Sequence, residues 1–335
     1  MVQRIILIHG RSTKPAKAKH AKFLKAALMS GLKHVDPQKA AKIGSTVKVD
    51  YVYYGDINNA ILAKSSKKIA EELKGIDPDA DQSLNDGRCL PDAGYLTAIN
   101  AMNQYRPFHR RDYKRLKKNH KSNTWLDDVA RAASTVSAIA TATLFNEAVI
   151  KFATADLGAY LTTRTYGSKI RERLHSPLKN ALLGGDDVCL VAHSMGAIVS
   201  YDVLWKFSRM SEYRDVQNAQ TPISMWLTLG SPLGEAGVKA NLYDARERSH
   251  RGDTDKFPKH IIDVWHNVAA HDDFISHDAT MRNDFREMKT RGFLSDIVDH
   301  KIYNCWAFDD EINPHKFYGY LVNPRVAGLI AAWIK

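Results

Sequence analysis

The sequence has little cysteine and no apolar leader at its start, and both absences narrow what the chain can be. Only three cysteines occur in 335 residues, Cys89, Cys189 and Cys305. They are too few and too widely spaced to predict a disulfide framework or a zinc cluster. The start, MVQRIILIHG, lacks the basic n-region, long apolar stretch and cleavage site of a secretory signal. We therefore expect a cytoplasmic protein in which Cys189 and Cys305 are buried thiols.

Acidic residues are also in short supply, because 37 Asp and Glu stand against 48 Lys and Arg, a formal net charge of +11. The excess is concentrated between positions 106 and 121, where the only acid is Asp112 and the bases are Arg106, Arg110, Arg111, Lys114, Arg115, Lys117, Lys118 and Lys121. Such a run is most often a solvated helix face. It could also contact an anionic surface or substrate. Nucleic-acid binding, with Tyr105, Phe108 and Tyr113 as stacking partners, is the weaker alternative.

Short β-branched runs alternate with longer helical patterns, which predicts an α/β fold with a mostly parallel sheet and helices on both faces. The predicted helices cover 16–33, 195–208 and the C-terminus from Pro324. With 44% hydrophobic residues, the chain can form a large core as a single domain over 1–335. The predicted strands are RIILIHG, VKVDYVYYG, VCLVAHS, SMWLTLGSP, IIDVWHNVA and HKIYNCWAF.

One interval, from Asp56 to Asp187, is longer than the single helix that would join two parallel strands. We therefore predict a large helical insertion over 58–165, before the strand VCLVAHS. It contains the basic run and the apolar segment VARAASTVSAIATATLF, which is shorter than a bilayer span. No transmembrane segment is predicted, and this segment is interpreted as a buried or interfacial helix.

The segment DDVCLVAHSMGAIVSYDVL carries the strongest local signal in the sequence. It predicts a buried strand, a sharp turn at Ser194 and a helix, the context of a nucleophile elbow. The small residues Ala192 and Gly196 let strand and helix approach each other closely. The alternative interpretation is that Ser-x-Gly after a strand is an ordinary turn without a catalytic role. His193 is interpreted as shaping the turn.

With its companion motifs, this segment resembles the α/β-hydrolase superfamily, in particular its serine esterase and lipase branch. The resemblance rests on ILIHGRS, VAHSMGAIVSYDVL, TLGSPLG, WHNVAAHDDFIS and NPHKFYGY, and it does not cover 58 to about 165. Ala192 departs from the usual G-x-S-x-G pattern, although some lipase-like families carry Ala there. The resemblance implies attack by Ser194 on an acyl carbonyl, an acyl-enzyme, hydrolysis by water and no cofactor.

The family presents its acid between nucleophile and base in chain order, on a loop after a later strand. Asp272, Asp273 and Asp278 compete for this role after the strand IIDVWHNVA. In comparable hydrolases the acid precedes any residue and then a β-branched one, which selects Asp273. Asp272 remains the alternative.

The base must follow the last strand, on a loop that can place its imidazole between acid and nucleophile. His315, in DDEINPHKFYGY, fits this position. His300 is expected at the start of the last strand and His277 lies close to the acid, so both are interpreted as surface or packing residues.

An oxyanion hole needs two backbone N–H groups. Met195, directly after the nucleophile, supplies the first, and Arg11, in HGRS after the first strand, is expected to supply the second. The alternative interpretation of His9-Gly10 is a turn that ends the strand and has no functional role. The residues expected to border the substrate are His9, Gly10, His193 and Ser231.

A metal site is the alternative chemistry for one crowded segment. Its members include types that bind zinc or manganese: His266, His271, Asp272, Asp273, His277 and Asp278. Because their spacing matches no helical metal signature, no metal is expected.

The favoured function is therefore hydrolysis of a carboxylic ester, either a small molecule or a lipid, with the insertion as a lid. The alternatives are an acyltransferase or a thioesterase that uses the same three residues. A non-catalytic binding protein that uses the 106–121 surface is an alternative of a different class.

Overall fold

A computed structural model describes residues 2–11, 14–65, 155–245, 256–270, 273, 275–276, 280–304, 306–308, 311–312 and 315–335. The strands within these ranges are β1 (Gln3–Ile8), β2 (Val47–Val52), β3 (Asp187–His193), β4 (Ile223–Leu229), β5 (Ile262–Ala270), β6 (Asp296–Ile302), β7 (Ala307–Phe308) and β8 (Glu311–Ile312).

The helices of the described ranges lie between these strands and after them. They are α1 (Lys17–Val35), α2 (Pro37–Ala41), α3 (Gly55–Ser65), α4 (Ala155–Thr162), α5 (Arg164–Leu183), α6 (Met195–Arg209), a 3-10 turn (Ser211–Tyr213), α7 (Arg214–Ala219), α8 (Ala236–Lys239), α9 (Met281–Asp284), α10 (Arg286–Thr290), α11 (Phe317–Val322) and α12 (Pro324–Trp333).

Six of the described strands form one sheet in the order β2-β1-β3-β4-β5-β6, and every neighbouring pair is parallel. The short β7 and β8 pair antiparallel and apart from this sheet. The prediction of an α/β fold with a parallel sheet is confirmed. Strand β3 is buried along its whole length, which explains why VCLVAH is apolar without alternation.

The sheet carries a hydrophobic core on each face, because successive side chains of a strand point to opposite sides. Ile6 and Ile8 of β1 pack into a core with α5 and α6. Ile5 and Leu7 pack into the other core, with α1, α11 and α12. Both faces are therefore covered, as a parallel sheet requires.

The last predicted strand was wrong in its boundaries. The sequence predicted a strand over 300–308, whereas β6 spans Asp296–Ile302 and the chain then turns before β7. The turn is organised by Asn304, whose side chain donates to Lys316 O at 2.9 Å and accepts from Trp306 N at 3.3 Å. As a result, His300 lies inside β6, where the sequence had placed it at the start of a strand.

Helix α4, at the end of the predicted insertion, contacts α3 and α5. The Tyr160 hydroxyl of α4 donates to Asp202 of α6 at 2.6 Å. The basic run 106–121 and the apolar segment 129–145 lie outside the described residues. Among the helices of the described ranges, none has the length and apolar character to cross a bilayer.

Candidate active site

The sheet topology creates a crevice at the carboxyl end of β1 and β3. The chain leaves β1 for β2 on one side and later returns to β3 on the other side of β1. The loops after these two strands therefore diverge, and this switch point is where ligands bind in open parallel sheets. Gly10, after β1, and Ser194, after β3, both lie there.

Ser194 has the strained backbone of a sharp strand-to-helix turn. Its φ of 55° and ψ of −125° are unfavourable for a residue with a side chain, and it is 1% exposed. The turn is held because Ser194 N donates to Leu229 O of β4 and Ser194 O accepts from Ala197 N, both at 2.9 Å. The hydroxyl is thus positioned by the backbone.

Three side chains from distant parts of the chain form one hydrogen-bonded row. His315 Nε2 lies 2.8 Å from Ser194 Oγ, across 121 residues of sequence. His315 Nδ1 lies 2.7 Å from Asp273 Oδ2. An imidazole whose Nδ1 donates to a carboxylate leaves Nε2 free to accept a proton. The row can therefore remove the proton from the Ser194 hydroxyl.

The Asp273 carboxylate is fully buried yet held in its ionised form. Burial alone would raise the pKa of this carboxyl, but the His315 ring, the Tyr320 hydroxyl and the Ile275 N–H outweigh burial and hold the pKa below its ordinary value. Tyr320 donates to Oδ2 at 2.7 Å and Ile275 N donates to Oδ1 at 2.9 Å. A buried anion with this set of donors can stabilise a protonated imidazole.

His193 holds the loop that carries His315. Its Nε2 donates to the backbone oxygen of His315 at 2.8 Å, and its ring stacks on Phe317 at 4.8 Å. Burial lowers the pKa of His193 well below its ordinary value, and the nearby His315 lowers it further. This contact links the residue before Ser194 to the loop of His315, a role that the sequence did not indicate.

The loop after β1 contacts Ser194 directly. A Cβ on Gly10 would lie 2.7 Å from Ser194 Cβ, so only glycine allows this approach. His9, which is fully buried, donates from Nδ1 to Gly10 O at 2.6 Å and accepts from Tyr54 N at 3.0 Å on Nε2. Both ring nitrogens of His9 therefore brace the loop, while its predicted contact with substrate stays a prediction.

The same loop is clamped from outside by Asn59 of α3. The Asn59 side chain accepts from Lys14 N and donates to Lys14 O, both at 2.9 Å, much as a neighbouring strand would. The Tyr53 hydroxyl adds a bond to Pro15 O at 2.8 Å. Neither residue was predicted, because their partners are backbone atoms that leave no trace in the sequence.

The other predicted residues fall into two groups. Met195 begins α6, where N–H groups of the first turn have no partner within the helix. Arg11 follows Gly10 in the loop after β1. Ser231 is buried, and its hydroxyl accepts from Leu233 N at 3.2 Å. The second group lies outside the described residues: His271, Asp272, His277 and Asp278.

Only two of the six residues considered for a metal site lie within the described residues. They are His266 and Asp273. Nδ1 of His266 lies 3.0 Å from Nε2 of His300, and Asp273 is bonded to His315. Within the described ranges, no group of three or more His, Cys, Asp or Glu is arranged to hold a metal ion.

We expect Gly230→Ala to disturb the row more than its backbone strain explains. Gly230 has φ of 55°, and a Cβ there would lie 2.9 Å from Asp273 Oδ2 and 3.2 Å from His315 Cε1. Gly292 has a similar φ of 68° but open space around a Cβ, so Gly292→Ala is the matched control. Urea unfolding should show a loss of about 1 kcal/mol for the control and a larger loss for Gly230→Ala. Equal losses would show that the row tolerates the added methyl group.

Stability should fall as the pH is lowered from 7 to 5. Burial holds the pKa of His9, His20 and His193 well below the ordinary value, so these rings stay neutral when the chain is folded. Below about pH 6.5 the unfolded chain binds protons that the folded chain does not. The stabilisation is therefore present above that pH and lost below it, by up to about 1.4 kcal/mol per pH unit for each ring.

The test is urea unfolding across this pH range, with two variants of one contact. His20→Asn removes a titrating ring and should flatten the slope. Tyr51→Phe removes the hydrogen bond between Tyr51 and His20 Nδ1 but keeps the ring, so its slope should match that of the unchanged protein. A slope that is the same in all three proteins would contradict the expectation.

The geometry above defines an α/β protein with a Ser-His-Asp row at the switch point of its sheet. No protein-family model matches the chain. No curated protein and no solved structure matches it significantly.

Proposed function

We propose that this protein is a serine hydrolase that cleaves carboxylic esters through an acyl-enzyme, with an α/β-hydrolase core of the esterase and lipase type. The observation that carries the proposal is the row from Ser194 Oγ through His315 to Asp273, with gaps of 2.8 and 2.7 Å. A serine, an imidazole and a buried carboxylate in this order are the groups that nucleophilic acyl transfer requires.

Several independent features support the same proposal. The strained φ of Ser194 is typical of a nucleophile elbow. The loop of Gly10 is packed against Ser194, as a loop that donates to an oxyanion must be. The strand order, with the nucleophile after a central strand, agrees with the proposed core. The stretch 58–165, between β2 and β3, is proposed as the insertion that forms a lid.

The proposed reaction has two steps. His315 Nε2 takes the hydroxyl proton as Ser194 Oγ attacks the ester carbonyl carbon, and the N–H groups of Met195 and Arg11 stabilise the oxyanion. The bond to the alcohol breaks, and His315 returns its proton to the leaving oxygen. Water then attacks the acyl carbon with His315 again as base. The bond from this carbon to Ser194 Oγ breaks, His315 returns the proton to Oγ, and the acid product leaves. Asp273 stays ionised throughout and holds the imidazole.

The direct test is labelling with a fluorophosphonate, whose phosphorus accepts the serine oxygen while fluoride leaves. We expect one label per chain, on the peptide that contains Ser194, and turnover of neutral aryl and alkyl esters. An unlabelled protein without esterase activity would contradict the proposal.

The same assay separates the proposed reaction from its relatives. Thioesters in the substrate panel test a thioesterase. An added alcohol that diverts the acyl group from water to a new ester at unchanged total turnover would identify an acyltransferase on the same three residues.

A further inference from the structure

We propose that Tyr320 is a positioning residue of this site, whose hydroxyl holds the Asp273 carboxylate in the orientation that His315 needs. This inference rests on the proposed function, because the orientation of His315 matters for catalysis only if the protein is a serine hydrolase. The contact itself is independent of any reaction. Tyr320 was not predicted from the sequence.

The Tyr320 hydroxyl has its proton directed at the carboxylate. Its oxygen accepts from Ala270 N at 3.1 Å, so its only hydrogen is free for Asp273 Oδ2 at 2.7 Å. This is the same carboxylate oxygen that receives His315 Nδ1 at 2.7 Å. The phenol and the imidazole therefore meet on one atom.

Both oxygens of Asp273 are held, so the carboxylate cannot rotate without breaking a bond. Ile275 N holds Oδ1 at 2.9 Å, while Tyr320 and His315 hold Oδ2. Tyr320 is fully buried and Asp273 is 2% exposed, so water is a poor substitute for the phenol. Loss of one donor to a buried charge is costly because a buried ionised group depends on its hydrogen-bond donors for stabilisation.

Helix α11 connects this phenol to the base. His315 lies two residues before the start of α11 and Tyr320 lies within it, so one short segment carries both groups that meet on Asp273. On the opposite side, a Cβ on Gly230 would lie 3.1 Å from the Tyr320 hydroxyl, which shows how closely the chain surrounds the contact. The position of the phenol is thus set by α11 and by the ends of β4 and β5.

The test compares Tyr320→Phe with Tyr201→Phe. Tyr201 is equally buried and donates to Asp244 Oδ2 at 2.9 Å, and that oxygen also accepts from Phe257 N at 3.1 Å. The control therefore removes the same kind of bond away from Ser194. Both variants should lose similar stability in urea, because each leaves a buried carboxylate with one donor fewer.

Only Tyr320→Phe should alter catalysis. We expect kcat to fall about tenfold with KM changed less than about twofold, because a poorly oriented imidazole affects the chemical step and not substrate binding. The acid limb of kcat/KM should move up by about half a pH unit. A carboxylate with one donor fewer holds its charge less well, so the Asp273–His315 pair takes up its proton at higher pH.

The titratable described groups around this pair are Tyr320 beside Asp273 and His193 beside His315, and both variants keep His193. A shift of the acid limb in Tyr201→Phe, or none in Tyr320→Phe, would overturn the positioning role.

Proton NMR gives a readout that needs no activity. The low-field resonance of His315 Nδ1–H, identified by its absence in His315→Ala, should move in Tyr320→Phe and stay in place in Tyr201→Phe. An unmoved resonance would overturn this inference. A moved resonance in a protein that neither hydrolyses esters nor takes the fluorophosphonate would keep the contact and refute the proposed function.

Discussion

Ser194→Ala should abolish both ester hydrolysis and fluorophosphonate labelling, with kcat lowered about a millionfold. The reason is that the row loses its only group that can attack a carbonyl, and members of such a row act as a unit. Ester hydrolysis is measured at saturating substrate, and labelling is measured by intact mass. Because the strained φ of 55° is retained with either side chain, the free energy of unfolding should change by about 1 kcal/mol or less.

Ser208→Ala is the matched control for this result. Ser208 is buried on the same helix, α6, where its hydroxyl donates to Trp205 O at 3.0 Å, well along the chain from the nucleophile. It should keep full labelling and activity. Labelling that persists in Ser194→Ala would assign the nucleophile to another residue.

Asp273→Asn should lower kcat about ten-thousandfold. In the unchanged protein Ile275 N donates to Asp273 Oδ1 at 2.9 Å. In the variant the amide oxygen must keep this acceptor position, so the amide nitrogen must face His315 Nδ1. The amide N–H and a protonated His315 Nδ1 are both donors, so they cannot form a hydrogen bond with each other. His315 is then driven to the tautomer with its proton on Nε2, which cannot accept the proton of Ser194.

Asp272→Asn is the comparison that decides between the two acids considered from the sequence. It should retain activity within about tenfold, because the described contact to His315 comes from Asp273. Measurements of kcat for both variants on one neutral ester, with unfolding curves beside them, give the ranking. The reverse ranking would move the acid to Asp272.

The parts of the fold that could be predicted are those with a strong local pattern. The continuous apolar run of β3 and the helix after Ser194 were placed within a residue or two, because a strand buried on both faces needs apolar side chains throughout. The end of β6 could not be predicted. There the apolar run continues to Phe308, but the chain turns near Asn304, whose side chain donates to Lys316 O in a later loop.

The candidate site divides in the same way. Ser194 is marked by its strand-turn-helix context, and His315 by its place after the last predicted strand. Asp272 and Asp273 are adjacent carboxylates of the same chemistry, so nothing local separates them. The structure describes Asp273 alone of the two, and shows it bonded to His315, Tyr320 and Ile275 N.

By itself, the sequence determined the class of fold, the position of the sharp turn at Ser194 and the small set of residues from which an acid and a base could come. These features depend on side-chain periodicity and on neighbours within a few residues. Only the tertiary structure decided that Tyr320, His193 and Asn59 support the site. Their partners lie 47, 122 and 45 residues away, and two of these three partners are backbone atoms. A peptide N–H or C=O is the same at every position, so a contact made to it is specified by the folded backbone and not by the residue letters.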